Sequence, residues 1–275
     1  MSLKDFEDHL QVRLFDRQGK RLILNDHGRQ VREMASSILA QVADLEAMTS
    51  PEELRGALRI GAAPAVGDYV LPQLCADFMA VHPGIRVDLN VIPSLEVMER
   101  VRKMSIDIGF VGAPVNSPYL EATPWLRDPL VVCCAPGSRL AKRGKTSLVD
   151  LKDERWTLEK TGSSERISFT VEMLKHVSSI NIALESDSIE AIKRLVRSGD
   201  FVACLSRLAV DEEVRRGEIH LLNVPELGFT RLFSVVNRPE VYQSQAFRTF
   251  RDFALTRFSE TLNEEDRQTV VKFAE

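Results

Sequence analysis

Four short segments of this sequence put unpaired amides or hydroxyls where an apolar strand runs out into a helix. Ala63-Pro64-Ala65-Val66 follows the run ALRIGA and Pro93-Ser94 follows IRVDLNVI. Thr161-Gly162-Ser163-Ser164 follows WTLE, and Leu205-Ser206 ends FVACLS. The first amides of a helix have no intrahelical acceptor and carry the positive end of the helix dipole, so such starts receive a carboxylate or another anion. Arg166 could complete an anion clamp by bidentate pairing, and an exposed helix arginine explains it equally well. Each serine taken singly is an N-cap before it is a ligand. Their convergence at one edge of two α/β units is what makes a binding site of them, because ligands of such units sit outside the carboxyl ends of the strands.

Other chemistry finds little support. There is no GxSxG elbow, no HExxH, no GxxxxGK[ST] and no GxGxxG after the first strand. His9, His27, His82, His176 and His220 are scattered without metal-ligand spacing. Cys75, Cys133, Cys134 and Cys204 show no CxxC spacing and lie in apolar stretches, which reads as reduced core residues. The adjacent pair Cys133 and Cys134 points to opposite faces of a strand, which argues against a redox couple. No catalytic residue, metal or cofactor is expected.

Two α/β units need positioning elements, and 275 residues suffice for two domains and an appendage. With 44% hydrophobic and 28% charged residues the composition is that of an ordinary globular protein. No apolar run approaches the roughly 18–20 residues that cross a bilayer, and MSLKDFEDHL is polar where a secretory signal is apolar. A cytoplasmic protein without a membrane partner is expected. The net charge of −4 argues against indiscriminate coating of nucleic acid. Locally the balance reverses: Arg13, Arg17, Lys20, Arg21, Arg29 and Arg32 face only Asp16 and Asp26 in the same stretch, the footprint of phosphate contacts or else a solvated charged face.

Along the chain, residues 1–24 read as a helix end followed by a two-stranded wing around Gln18-Gly19. Asn25 is a plausible N-cap with Asp26 in the positive first turn. Over residues 25–50 the apolar positions Val31, Ala35, Ile38, Val42 and Leu45 step by four and three, the seam of a coiled coil. At about 1.5 Å per residue such a helix runs on the order of 35 Å, and its stripe is too narrow for packing on a globular core. A dimerising linker helix is expected, ended by Thr49-Ser50-Pro51. Residues 57–258 alternate strands (57–62, 85–92, 106–111, 129–135) with helices near 69–81 and 94–104. A second such run follows at 156–223, then a last strand at 231–237 and a helix carrying Phe247, Phe250, Ala254 and Phe258. The order βαβαβ predicts a mostly parallel sheet with helices on both faces. The tail 259–275 could form one more helix through Leu262, Val270, Val271 and Phe273.

The N-terminal residues carry a specific resemblance. Phe6, Glu7 and Leu10, then Val12, Leu14, Phe15 and Arg17, resemble the L-E-x-x-L-G and V-x-L-F-x-R segments of LysR-type transcriptional regulators. Gln11 stands for the usual glycine, and Asn25-Asp26-His27-Gly28 for T-x-A-G. The order of wing, long helix and two-lobed domain follows that family from Leu3 to about Phe258. In Gly162-Ser163-Ser164-Glu165-Arg166 the family often has G-S-G-x-R, so Ser164 narrows the approach to a ligand.

The resemblance implies an α/β, two-lobed, periplasmic-binding-protein-like effector domain preceded by a partial winged helix-turn-helix and a long linker helix. Lobe I would span 57–140 and 226–258, and lobe II 141–225. The implied partners are promoter DNA, through a complete helix-turn-helix, a small, anionic effector between the lobes, further copies in a homodimer or homotetramer, and RNA polymerase. Family members carry about thirty residues before the matching segment, including the base-reading part of the second helix. A chain truncated at its start is expected, and a regulator that no longer reads DNA by itself is the alternative. Residues 1–275 alone are expected to bind DNA weakly and with steep salt dependence. The rival readings are a stand-alone small-molecule binder, a solute-binding protein, which would need export and no linker, and an enzyme on the same fold.

Overall fold

The computed structural model of the chain describes residues 2–19, 21–48, 54–228 and 230–263. Lys20, the Thr49-Ser50-Pro51 helix stop and the tail positions Val270, Val271 and Phe273 lie outside the described residues.

The N-terminal unit is held by side chains that bond backbone. Helix α1 (Leu3–Leu10) starts on a reciprocal box: Ser2 Oγ accepts from the Asp5 amide at 3.2 Å, and the Asp5 carboxylate accepts from the Ser2 amide at 2.7 Å. It ends at Gln11 in the left-handed region, φ 54°, where a glycine carries no Cβ penalty. The Glu7 carboxylate then accepts from the Leu14 amide at 2.6 Å and the Phe15 amide at 3.2 Å, tying the helix to the wing. Strands β1 (Phe15–Gln18) and β2 (Arg21–Leu24) pair antiparallel, with Gln18 opposite Arg21 and Gly19 at φ 64° in the turn. Helix α2 (Asp26–Met48) begins at Asn25, whose Oδ1 accepts from the Gly28 amide at 2.9 Å and whose Nδ2 donates to the Arg13 carbonyl at 2.8 Å.

Helix α2 is not a free stalk. Its Asp44 carboxylate accepts from the Tyr242 hydroxyl at 2.6 Å and from the Gln245 amide at 2.9 Å, and Arg32 donates to the Lys103 carbonyl at 3.0 Å. Polar side chains lay one face of the helix along the first lobe, which an apolar period cannot reveal. The apolar stripe still faces out: Ile38, Val42 and Leu45 are exposed, and Val31 and Ala35 are half-buried.

The first lobe contains β3 (Arg55–Ala62), α3 (Pro64–Tyr69), α4 (Leu71–Val81), β4 (Gly84–Val91), α5 (Ser94–Arg102) and β5 (Ile108–Val111). Strand β3 pairs parallel with both β4 and β5. A long strand, β6 (Glu121–Cys134), then leaves for the second lobe, built from α6 (Leu148–Leu151), β7 (Trp156–Glu159), α7 (Ser164–Met173), β8 (Ile182–Ser186), α8 (Ile189–Arg197), β9 (Ala203–Ser206), α9 (Arg207–Arg215) and β10 (His220–Leu221). Strand β11 (Thr230–Asn237) comes back between β5 and β6, and α10 (Gln245–Arg257) closes the first lobe.

Two expectations change here. Among the described residues, seven strands form one sheet in the order β10-β6-β11-β5-β3-β4, with β9 also on β6; only the β3 pairings in it are parallel, because β6 and β11 run antiparallel to each other and to their other neighbours. Strand β6 also begins at Glu121, not 129. Pro124, Arg127 and Asp128 disguise its first half, and the register shift opposite Phe233/Ser234 accommodates the proline. The crossing therefore falls near Pro129, and Leu130, Val132 and Leu140 pack with Trp156 and Phe169 in the second lobe rather than in a first lobe running to 140.

The first core is aromatic: Phe78 meets Phe250 edge-on at 5.1 Å, Phe110 meets Trp125 at 4.5 Å, and the Trp125 indole donates to the Ala254 carbonyl at 2.9 Å. Cys133 and Cys134 project into different clusters of the second lobe, Cys133 beside Ile192 and Leu205, Cys134 beside Leu130 and Leu140, and burial pushes their thiols up to about 12 and about 11.

The join of wing and linker leaves no room at Gly28, where a Cβ would lie 2.0 Å from the Leu14 carbonyl oxygen. Gly28→Ala should cost on the order of 1–3 kcal/mol locally. Hydrogen exchange of the Leu14–Leu24 amides should accelerate while the two-lobed domain keeps its protection.

Candidate effector site at the lobe junction

The two strands that pass between the lobes carry opposite charges at the point of passage. Asp128 on β6 and Arg231 on β11 stand directly opposite in the ladder, and both side chains are buried. The Arg231 guanidinium makes an ion pair with Asp128 through Nη2, and its Nη1 lies 2.8 Å from the Glu165 carboxylate and donates to Ser164 Oγ at 3.1 Å. Ser206, where β9 turns into α9, donates to Asp128 at 2.9 Å. Burial raises the Asp128 carboxyl, and Arg231 and Ser206 pull it back toward the charged form. One cation thus gathers residues from β6, β9, β11 and α7.

Glu159, at the end of β7, is the surplus acid of this cluster. Burial, and then the neighbouring Glu165 carboxylate, push its carboxyl up to about 8. Two carboxylates already face Arg231, so a third negative charge here has no cation of its own.

The predicted loop residues divide between structure and site. Ala63, Ala65 and Val66 are core residues of the first lobe, and Pro64 opens α3: the segment is a helix start rather than a loop, and the Val66 and Gly67 amides are spent on the Ala63 carbonyl. Ser94 accepts from the Gly112 amide at 3.2 Å, which staples α5 to the end of β5. Ser163 caps α7 through the Arg166 amide at 3.0 Å. Thr161 and Gly162 form the exposed approach to that cap, with Gly162 at φ 109°. Ser164 and Ser206 belong to the Arg231 network. Arg166 pairs through Nη2 with Glu185 at 3.3 Å, and its buried Nη1 has no hydrogen-bond partner among the described residues. Arg231 Nε and Glu159 Oε2 are likewise buried and unmatched there.

Asp128, Glu159, Glu165 and Arg231 escaped the sequence reading. A signal was present, since charged residues interrupt the apolar runs LRDPLVVCC and TRLFSVVN. What the sequence could not supply was their convergence.

A second contact spans the lobes. Tyr69, ending α3, donates to Glu190 of α8 at 2.7 Å, and its ring lies 4.9 Å from the buried Lys193 ammonium. Lys193 reaches Glu190 at 2.7 Å and Glu213 at 2.6 Å. At the other end of the chain, Arg13, Arg17 and Arg21 are exposed on the wing, Arg29 is engaged with Asp26 and the Leu24 carbonyl, and Arg32 with Lys103. Among the described residues no helix is long and apolar enough to cross a membrane, and no cluster of His, Cys, Asp and Glu could hold a metal.

Glu159 makes stability depend on pH. In the unfolded chain it ionises near its ordinary value of 4.5, and folded only near 8, so the stability it lends is whole below the first value and lost as pH rises through the second. Glu159→Gln should therefore flatten the decline in Tm between about pH 5 and pH 8, as read by thermal melts at both; an unchanged decline would assign it elsewhere.

Comparison with known proteins agrees with this architecture. The sequence profile of the LysR substrate binding domain matches residues 51–259. The uncharacterized HTH-type transcriptional regulator YeiE of Escherichia coli is 36% identical over 252 residues, covering 92% of this chain and 85% of that protein. The CcmR regulatory domain of Synechocystis, solved in complex with 2-PG, is 27% identical with a TM-score of 0.69 over 74% of this chain and 98% of that one. Full-length OxyR of Pseudomonas aeruginosa, 21% identical, shares the fold over 91% of this chain and 82% of its own length, with a TM-score of 0.70. A profile match over most of the chain, a relative above 30% identity and a two-lobed α/β domain behind a wing and a long helix lead to one assignment: the chain belongs to the LysR family of transcriptional regulators.

Proposed function

We propose that this regulator is controlled by a small anion held at the start of α7, between the lobes, and that the anion acts through Arg231. The observation that carries the reading is the buried, unmatched Nη1 of Arg166 beside the capped N-terminus of α7. A buried donor without a partner costs roughly 1–3 kcal/mol, which a ligand oxygen recovers. The helix dipole favours the same sign of charge. The similarity to a regulatory domain solved with 2-PG supports a small-molecule effector.

An anion arriving here competes with Glu165 and Asp128 for Arg231. Because Arg231 and Asp128 lie on the two crossing strands, any change in their pairing is felt where the lobes join. The effector shifts the arrangement only by binding one lobe placement better than the other. Thr161, Gly162, Ser163 and Ser164 form the approach, while Pro64, Pro93 and Ser94 supply the facing wall, with Ala63, Ala65 and Val66 packed in the core behind it, and Ser206 holds Asp128. The function is regulation rather than catalysis.

At the opposite end, Arg13, Arg17, Lys20 and Arg21 of the wing, with Arg29 at the start of α2, serve as phosphate contacts; Arg32 belongs to the linker's attachment. The stripe of Val31, Ala35, Ile38, Val42 and Leu45, exposed at its last three positions, pairs two copies, and a homodimer or homotetramer on DNA in the cytoplasm is the assembly this implies.

Isothermal calorimetry with a panel of small carboxylates and inorganic anions should find a ligand whose affinity falls at least about tenfold in Arg166→Gln, the worth of one charge-assisted bond. If no anion of that panel binds, and only neutral or cationic compounds of a widened panel do, the reading is overturned. For the wing, the double change Arg17→Gln with Arg21→Gln should reduce the slope of log K against log salt on a duplex by about two, and Arg32→Gln should leave it unchanged.

A further inference from the structure

A cavity of about 340 Å³ lies away from the lobe junction, where α2 runs along the first lobe. Leu39 of α2, Val101, Met104, Ile106 and Phe247 make its apolar walls. Two charged pairs border it. Arg59 is bonded to Asp107, its Nε donating at 3.1 Å, so these two cancel. Arg238 is differently placed. Its Nη1 donates to the Arg102 carbonyl at 3.0 Å, its Nη2 stands 4.0 Å from the exposed Glu240 carboxylate, and its Nε is buried with no hydrogen-bond partner among the described residues. The cavity therefore joins an apolar body to one guanidinium whose charge is little compensated and one of whose donors is unmet.

We propose that this cavity is a second ligand site, separate from the site at the lobe junction, and that it takes a small amphipathic monocarboxylate. The carboxylate meets the Arg238 guanidinium, and an aryl or short alkyl body lies against Phe247, Met104 and Leu39. The volume falls in the range of small-molecule sites, and the mix of apolar walls with few polar groups is what such sites show. A neutral apolar guest would leave the buried donor unsatisfied, and a dianion would meet Asp107 and Glu240. The position gives the site a consequence: the cavity lies beside the Asp44–Tyr242 and Arg32–Lys103 attachments, so its occupant touches linker and effector domain together. Binding there favours the packed linker over a detached one by the ligand's differential affinity.

The test uses the full chain and phenylacetate as the probe, followed by saturation-transfer NMR and calorimetry. Phenylacetate should bind, Arg238→Gln should weaken it at least about tenfold, and Ala57→Leu, which keeps the charge and fills space from an exposed wall position, should abolish it. Arg166→Gln, a change at the lobe junction, should leave this binding intact. No saturation transfer at about 10 mM probe, a concentration that detects even millimolar affinity, overturns the proposal. So does binding that survives both Arg238→Gln and Ala57→Leu, or that Arg166→Gln removes.

Discussion

The crossing between the lobes turns on a buried cation. Arg231 sits where two antiparallel strands pass between lobes, and its partners come from both crossing strands and from two helix starts of the second lobe. A guanidinium removed from water needs compensation on every face, because leaving a buried charge unpaired costs about 3–5 kcal/mol. That requirement fixes β6, β11 and the start of α7 together, beside apolar contacts in which Leu208 of α9 packs on the first core and Tyr69 of α3 on the second. A ligand oxygen of the kind proposed above would alter that compensation, and the strands that carry it are the only covalent routes, within the described residues, from one lobe to the other.

A similar division of labour governs the linker helix. Its contact with the effector domain is polar and sparse, resting on Asp44 and Arg32, while its apolar stripe stays exposed. Exposed pairings of this kind are worth little each in water, roughly 0–1 kcal/mol, so the packed placement is one that binding elsewhere can readily bias. The lobe junction and the linker attachment are two polar joints, the first buried around Arg231 and the second exposed around Asp44 and Arg32. That is the arrangement a regulator needs, because a rigid connection would transmit nothing and a free one would transmit at random.

The local elements were legible because they rest on short-range chemistry. The Ser163 cap of α7, the Asn25 cap of α2, the glycine in the wing turn and the apolar runs of β3 and β9 follow from neighbours within four or five positions. Strand β6 was half-hidden because Pro124, Arg127 and Asp128 contradict a buried strand locally, and the crossing that makes them admissible is contributed by residues a hundred positions later.

The sequence by itself determined the two-lobed α/β class, the family, the basic wing and the apolar stripe, all of which are periodicities or contiguous motifs. The tertiary structure decided which serines are caps and which meet Arg231, that Ala63, Ala65 and Val66 face the core, that α2 lies along the first lobe, and that three acids and one arginine share a site. The reason is physical: a hydrogen bond to the next turn is written in adjacent residues, whereas compensation of a buried charge depends on groups that meet only after the chain has crossed between its lobes twice.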